Sequence, residues 1–169
     1  MPDLSRRRGS KPATRPVERP AGLSYSEQLY LQFWNEFLEF ARSRRTRLDL
    51  PRPSARHWYR ISVGRSGFDL SLTVQLRGPV RCELYIHHKN ASSAFEQLEA
   101  KRPHIERRLG SNLTWEKPGH KGGHACRIGE YHSASVDDKR TWRELFEWFS
   151  RRARMFHSVF VPLVRKLDL

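Results

Sequence analysis

A chain of 169 residues with 37% hydrophobic and 11% aromatic content is long enough for one well-filled core and short for two. Its net charge of +14, with 25 of the 32 basic residues arginine, suits a polyanion or an acidic protein surface as partner. The apolar runs last only a few residues, far below the ~18 needed to cross a bilayer, so no membrane partner is expected.

Residues 1–22 are rich in Arg, Pro, Ser and Thr and read as a disordered basic arm, with 23–169 forming a single domain. Arg6, Arg7, Arg8, Lys11, Arg15 and Arg19 give the arm its charge, and no apolar region follows to make it a secretory signal. Ser24 and Glu27 form an S-x-x-E capping box. After it Leu29, Tyr30, Phe33, Trp34, Phe37, Leu38 and Ala41 recur at helical spacing, predicting a helix over about 25–45. Between Arg42 and Arg60 stand seven arginines and one acid, Asp49, and Pro51 and Pro53 make the middle of this segment a loop.

Three alternating segments follow. WYRISVG places Tyr59, Ile61 and Val63 on one side, and FDLSLTVQL does the same with Phe68, Leu70, Leu72, Val74 and Leu76. The third strand, Val80 followed by RCELYIHHK, turns Val80, Cys82, Leu84 and Ile86 inward and leaves Arg81, Glu83, Tyr85 and His87 outward. The connectors GRSG and RGP are hairpin length, so these strands form an antiparallel meander. Asn90 or Ser92 can cap a second helix with Phe95, Leu98, Ile105 and Leu109 on its stripe, a kink at Pro103 and an end at Gly110. LTWEK and ACRIGEYH read as two short strands around the loop PGHKGGH. Asp137 then caps a long helix whose stripe runs from Trp142 to Leu163 and which Pro162 bends or ends. The expected fold is α+β, in the order α-β-β-β-α-β-β-α, with a small, mainly antiparallel sheet. Phe33, Phe37, Leu72, Leu84, Phe95, Trp142, Phe146 and Phe149 should meet in its core.

The combination of FWNEFLEF, CELYI ahead of FEQLEAKRPHIERRLG, LTWEK, and WRELFEWF resembles an uncharacterised bacterial domain, domain of unknown function family 4268. The resemblance covers about residues 25 to 167. Members often sit C-terminal to modules that look like restriction-type nucleases, which implies a restriction- or defence-associated setting.

The strand order is also that of PD-(D/E)xK nucleases, in which carboxylates on the second and third strands hold Mg²⁺ and a lysine two residues after the second carboxylate activates water. Asp69 and Glu83 are the weak candidates, but Tyr85 stands where the lysine belongs. If RGP sets the register, Thr73 faces Glu83 and Asp69 faces His87, which separates the carboxylates by ~13 Å at ~3.4 Å per residue. The core therefore reads as a degenerate form of that fold, without its site. In the same register Ser62, Asp69 and His87 share a row, but with aspartate in the middle, the wrong order for a relay.

His120, His124 and His132 with Cys126 contain one spacing that suits zinc, His120-x₃-His124, and a mobile basic loop accounts for them better. Cys82 and Cys126 form no close pair, which suits a reducing cytoplasm and leaves one disulfide open. Neither GxxxxGK[ST] nor GxGxxG occurs. No catalytic group, metal or cofactor is therefore assigned.

The leading expectation is a non-catalytic module that binds nucleic acid through phosphates without sequence preference. Arg42, Arg44, Arg45, Arg47, Arg52 and Arg56 are its first candidates. Arg60, Arg81 and Tyr85 are the second, because an aromatic among arginines on a polar sheet face can stack a base. That face could instead be covered by a helix or a partner domain. The alternative function is docking on an acidic protein, and a metal-dependent nuclease is the third reading.

Overall fold

The capping box at the start of the first helix forms as the S-x-x-E spacing requires. In the computed structural model, which describes residues 22–119 and 123–169, Ser24 Oγ accepts from the Glu27 N–H, and the Glu27 carboxylate accepts from the Ser24 N–H at 2.8 Å. Helix α1 (Tyr25–Ser43) buries Leu29, Phe33, Trp34, Phe37, Leu38 and Ala41. It stops about two residues before the expected end, and Arg45 just beyond it has a positive φ of 51°. The arm over 1–22 lies outside the described residues except for Gly22.

Five strands form one antiparallel sheet in the order β1-β2-β3-β5-β4. They are β1 (Trp58–Ser62), β2 (Phe68–Thr73), β3 (Val80–Ile86), β4 (Thr114–Glu116) and β5 (Cys126–His132). The fold is α+β, with the expected element order except where one helix divides.

The alternation assigns faces correctly, but the register differs from expectation. Thr73 pairs with Arg81, Ser71 with Glu83 and Asp69 with Tyr85. This pairing centres the hairpin on Arg77 rather than on Gly78, and each partner moves by two residues. A shift of two keeps every side chain on its face, which is why face assignment survives an error that register does not.

The second helical segment is two helices rather than one kinked helix. Helix α2 (Ala91–Glu99) ends at Ala100, and α3 (Arg102–Leu109) starts with Pro103 in its first turn, where a missing N–H leaves nothing unsatisfied. Asn90 occupies the cap position without a side-chain cap bond, and Gly110 closes α3 in the left-handed conformation with φ 68°.

Asp137 does not cap the last helix. Asp138 caps a 3₁₀ turn (Lys139–Thr141) that leads into α4 (Trp142–Arg165), and Pro162 stands in the last turn without ending it.

Helix α4 crosses β2 and β3 on the apolar face, with α1 and α3 beside it and α2 against β3 and β5. Phe33 lies 5.1 Å from Trp142, 5.0 Å from Phe146 and 6.2 Å from Phe149, the edge and tilted contacts that aromatic quadrupoles favour. All eight expected core residues are buried in one cluster. Arg152 is the charged exception beneath α4. It pairs with Glu130 of β5 and donates to the Leu109 carbonyl at 3.0 Å and to Ser111 Oγ at 2.9 Å, tying the sheet to the end of α3.

Leu72 is fully buried at the centre of this layer. Leu72→Ala should cost ~2–5 kcal/mol, read from urea unfolding, since it deletes packed methyl groups and leaves a cavity.

Candidate nucleic-acid interface

The arginines of the segment after α1 do not act as one patch, because the loop folds around the edge of the domain. Trp34 Nε1 donates to the Arg56 carbonyl at 2.8 Å, and Tyr59 Oη donates to the Pro51 carbonyl at 2.5 Å, so the loop is anchored near both ends of its second half. Arg44, Arg45 and Arg47 are left on the helical side. Arg52, Arg56 and Arg60 go to the sheet side.

On the helical side, two adjoining cavities of about 450 Å³ each share Thr46 and Arg154. Arg44 and Arg151 line one, Arg45, Arg47 and His157 the other, with Phe40, Leu48, Ser150 and Ser158 between the charges. Glu147 is the acid in this lining and lies 3.6 Å from Arg44, an exposed pair of little energetic weight. Arg42 stands outside this lining. Arg151 and Arg154 were not among the sequence candidates. Their place on the polar side of α4 is readable, but their meeting with Arg45 and Arg47 depends on how α1 and α4 pack.

On the sheet side, the helices among the described residues pack on the apolar face, so the polar face carries Trp58, Arg60, Arg81, Glu83, Tyr85 and Arg127 without a helix over them. The Arg60 guanidinium lies 5.6 Å from the Trp58 ring centre and 4.9 Å from that of Tyr85. Arg127 lies 5.2 Å from the Tyr85 centre, and Arg56 lies 5.5 Å from that of Trp58. Arg52 lines a smaller hollow beside Trp58. Arg127 escaped the sequence reading, although the alternation of ACRIGEYH puts it on this face.

Glu83 is 2% exposed at the middle of the face. Gly129 stands opposite it on β5, and a β-carbon there would come within 2.6 Å of the Glu83 Cβ, so glycine makes room for the carboxylate. Arg81 Nε approaches Glu83 Oε2 to 2.8 Å and Arg127 Nε approaches Oε1 to 3.8 Å. These contacts lack hydrogen-bond alignment, and Glu83 Oε2, Arg81 Nε and Arg127 Nε are buried without a hydrogen-bond partner.

Asp69 does not join Glu83. It sits opposite Tyr85, one row away rather than two, with Oδ2 2.9 Å from His87 Nε2 and 3.9 Å from Arg60. The contact with His87 is diagonal, so Ser62, Asp69 and His87 do not share a row, and Ser62 Oγ accepts instead from the Gly64 N–H. Among the described residues no three His, Cys, Asp or Glu side chains gather where they could hold a metal. His120 lies outside the described residues. Cys126 points into the core, and His132 stacks on Trp148 with ring centres 5.0 Å apart. Both cysteines are free thiols.

Burial pushes the Glu83 carboxyl from its ordinary 4.5 up to about 7, against the pull of Arg81 and Arg127. Below the ordinary range both folded and unfolded states hold the proton. As pH rises toward 7 the unfolded chain releases it first, so the stability tied to this group is lost across that window. The loss should reach at most roughly 3 kcal/mol at 1.36 kcal/mol per unit. Urea midpoints of the parent should fall relative to those of Glu83→Gln between about pH 4.5 and 7.5, and parallel curves would assign the loss to other groups.

No helix of the described residues is long and apolar enough to cross a membrane. No curated protein and no solved structure matches the chain. Residues 29–164 match the family described as Domain of unknown function (DUF4268), from within α1 to the last turn of α4. The chain belongs to that family.

Proposed function

We propose that this domain is a non-catalytic nucleic-acid-binding module that grips the phosphate backbone in the groove between the end of α1 and α4. The observation that carries the reading is the convergence of Arg151 and Arg154, from α4, on Arg44, Arg45 and Arg47, more than 100 residues earlier in the chain. Five guanidinium groups with one acid in the lining repel each other, and a polyanion relieves that repulsion by exchanging its condensed counterions for them. The Thr46 hydroxyl, which lines both cavities, adds a donor for a phosphate oxygen. The family resemblance suits an accessory role in a bacterial restriction or defence system, in the cytoplasm, where the two buried thiols stay reduced. Asp69 and Glu83, each tied to different neighbours, give no support to metal-dependent cleavage.

Replacing Arg44, Arg45 and Arg47 with glutamine should weaken binding to random duplex DNA and lower the log–log salt slope by up to about three units, at ~0.9 per phosphate contact. Arg151→Gln with Arg154→Gln should lower it by up to about two more. Folding stability should stay within about 0.5 kcal/mol, as is usual for exposed positions. A parent that fails to bind duplex at low salt overturns the reading in favour of an acidic protein partner. An unchanged slope in the triple variant removes the groove as the site.

A further inference from the structure

The open sheet face contains a basin of about 250 Å³, below the roughly 300–1,000 Å³ of drug-sized sites and suited to one planar ring system. Its floor is Ser71, Thr73 and Glu83, and its walls include Trp58, Tyr85 and Arg127. Small residues at the centre of the sheet, ringed by long ones, produce the depression.

The polar groups at the floor define the ligand. A simple anion would meet the Glu83 carboxylate, and a simple cation would meet Arg60, Arg81 and Arg127, all of which line the same basin. A ligand that suits both offers N–H donors to the carboxylate and acceptors to the guanidinium groups. The aromatic walls add that it should be flat.

We propose that this basin binds a guanine base, with Glu83 accepting from the N1–H and the N2 amino group. Guanine is the common base whose Watson–Crick edge presents two adjacent donors followed by an acceptor. A carboxylate matches the donor pair, and Arg81 or Arg127, whose Nε atoms are buried without a hydrogen-bond partner, moves off the carboxylate as the base enters and donates to O6. The base stacks against Tyr85 and Trp58, taking the place of the Arg60 guanidinium that now lies over both rings. Arg60, with 43% of its side chain exposed, then turns to the phosphate. Adenine and cytosine offer a donor beside an acceptor, and uracil a single donor between acceptors, so each leaves one carboxylate oxygen facing a lone pair. The biological setting rests on the reading of the domain as a nucleic-acid-binding module, in which this face would read a base of a single strand while the groove holds phosphates.

The test is calorimetric titration of the whole chain with guanosine 5′-monophosphate at low salt and about pH 8, where Glu83 is ionised, beside the adenosine, cytidine and uridine monophosphates. The guanosine compound should bind at least about tenfold more tightly than the other three. Its 1-methyl analogue, which lacks the N1–H, should lose that advantage, and inosine 5′-monophosphate, which lacks the amino group, should fall between. These analogues leave the protein unchanged, so the result does not depend on a variant folding. Glu83→Gln should abolish the preference while leaving duplex binding in the groove intact. Equal affinity for all four nucleotides, no binding, or indifference to the 1-methyl group overturns the proposal. The Arg44, Arg45 and Arg47 glutamine variant should bind guanosine monophosphate as the parent does. A parent that fails to bind duplex yet prefers the guanosine compound therefore counts against the groove alone.

Discussion

The contact between the apolar stripe of α4 and the faces of β2 and β3 decides how this domain uses its surface. A helix of 24 residues with Trp142, Leu145, Phe146, Phe149, Ala153, Phe156 and Phe160 buried occupies one side of a five-stranded sheet. α1 and α3 pack beside it, and Arg152 bonds it to β5 and the end of α3. Among the described residues no helix is left for the other face. That face is instead covered by its own long polar side chains, whose guanidinium groups lie over aromatic rings.

One-sided burial of this kind explains the unusual state of Glu83. A carboxylate at the centre of an open sheet would ordinarily be hydrated. Here Arg81 and Arg127 close over it from either side and exclude water, without aligning their Nε–H groups to bond it. Two positive neighbours do not fully offset the desolvation, so the proton affinity rises. Gly129 is the steric condition for the arrangement, because a side chain there would strike the Glu83 backbone and Cβ. Misaligned polar atoms at the floor of a basin are costly in isolation and useful to a ligand that aligns them.

The two basic regions differ in physical character. The helical groove gathers exposed guanidinium groups with one acid in its lining, and in the proposed module it would draw its strength from counterion release. The sheet face interleaves Arg60, Arg81 and Arg127 with Asp69, Glu83 and Glu116, so its chemistry is directional. A long-range, salt-sensitive grip and a short-range, shape-dependent reader are complementary devices in the proposed module.

Periodicity was enough to read the elements, because the 3.6-residue and two-residue repeats that bury one stripe or face are written directly in residue order. The same repeats named the eight core residues and put Trp58, Arg60, Arg81 and Tyr85 on one face. Local chemistry also gave the capping box at Ser24 and the left-handed cap at Gly110. The register between β2 and β3 was not legible, since a shift of two residues leaves every face unchanged and turn geometry alone selects it. The break before Pro103 was missed because a helical stripe that continues across a proline fits either a kinked helix or a second helix with proline in its first turn, where it costs less. The division of the arginines after α1 was decided only by the tertiary structure, since hydrogen bonds from Trp34 and Tyr59 to loop carbonyls send Arg45 and Arg56 to opposite sides. So was the basin around Glu83, whose floor and walls come from four strands, because β5 and its Arg127 reach the β1-β2-β3 meander only through the sheet topology.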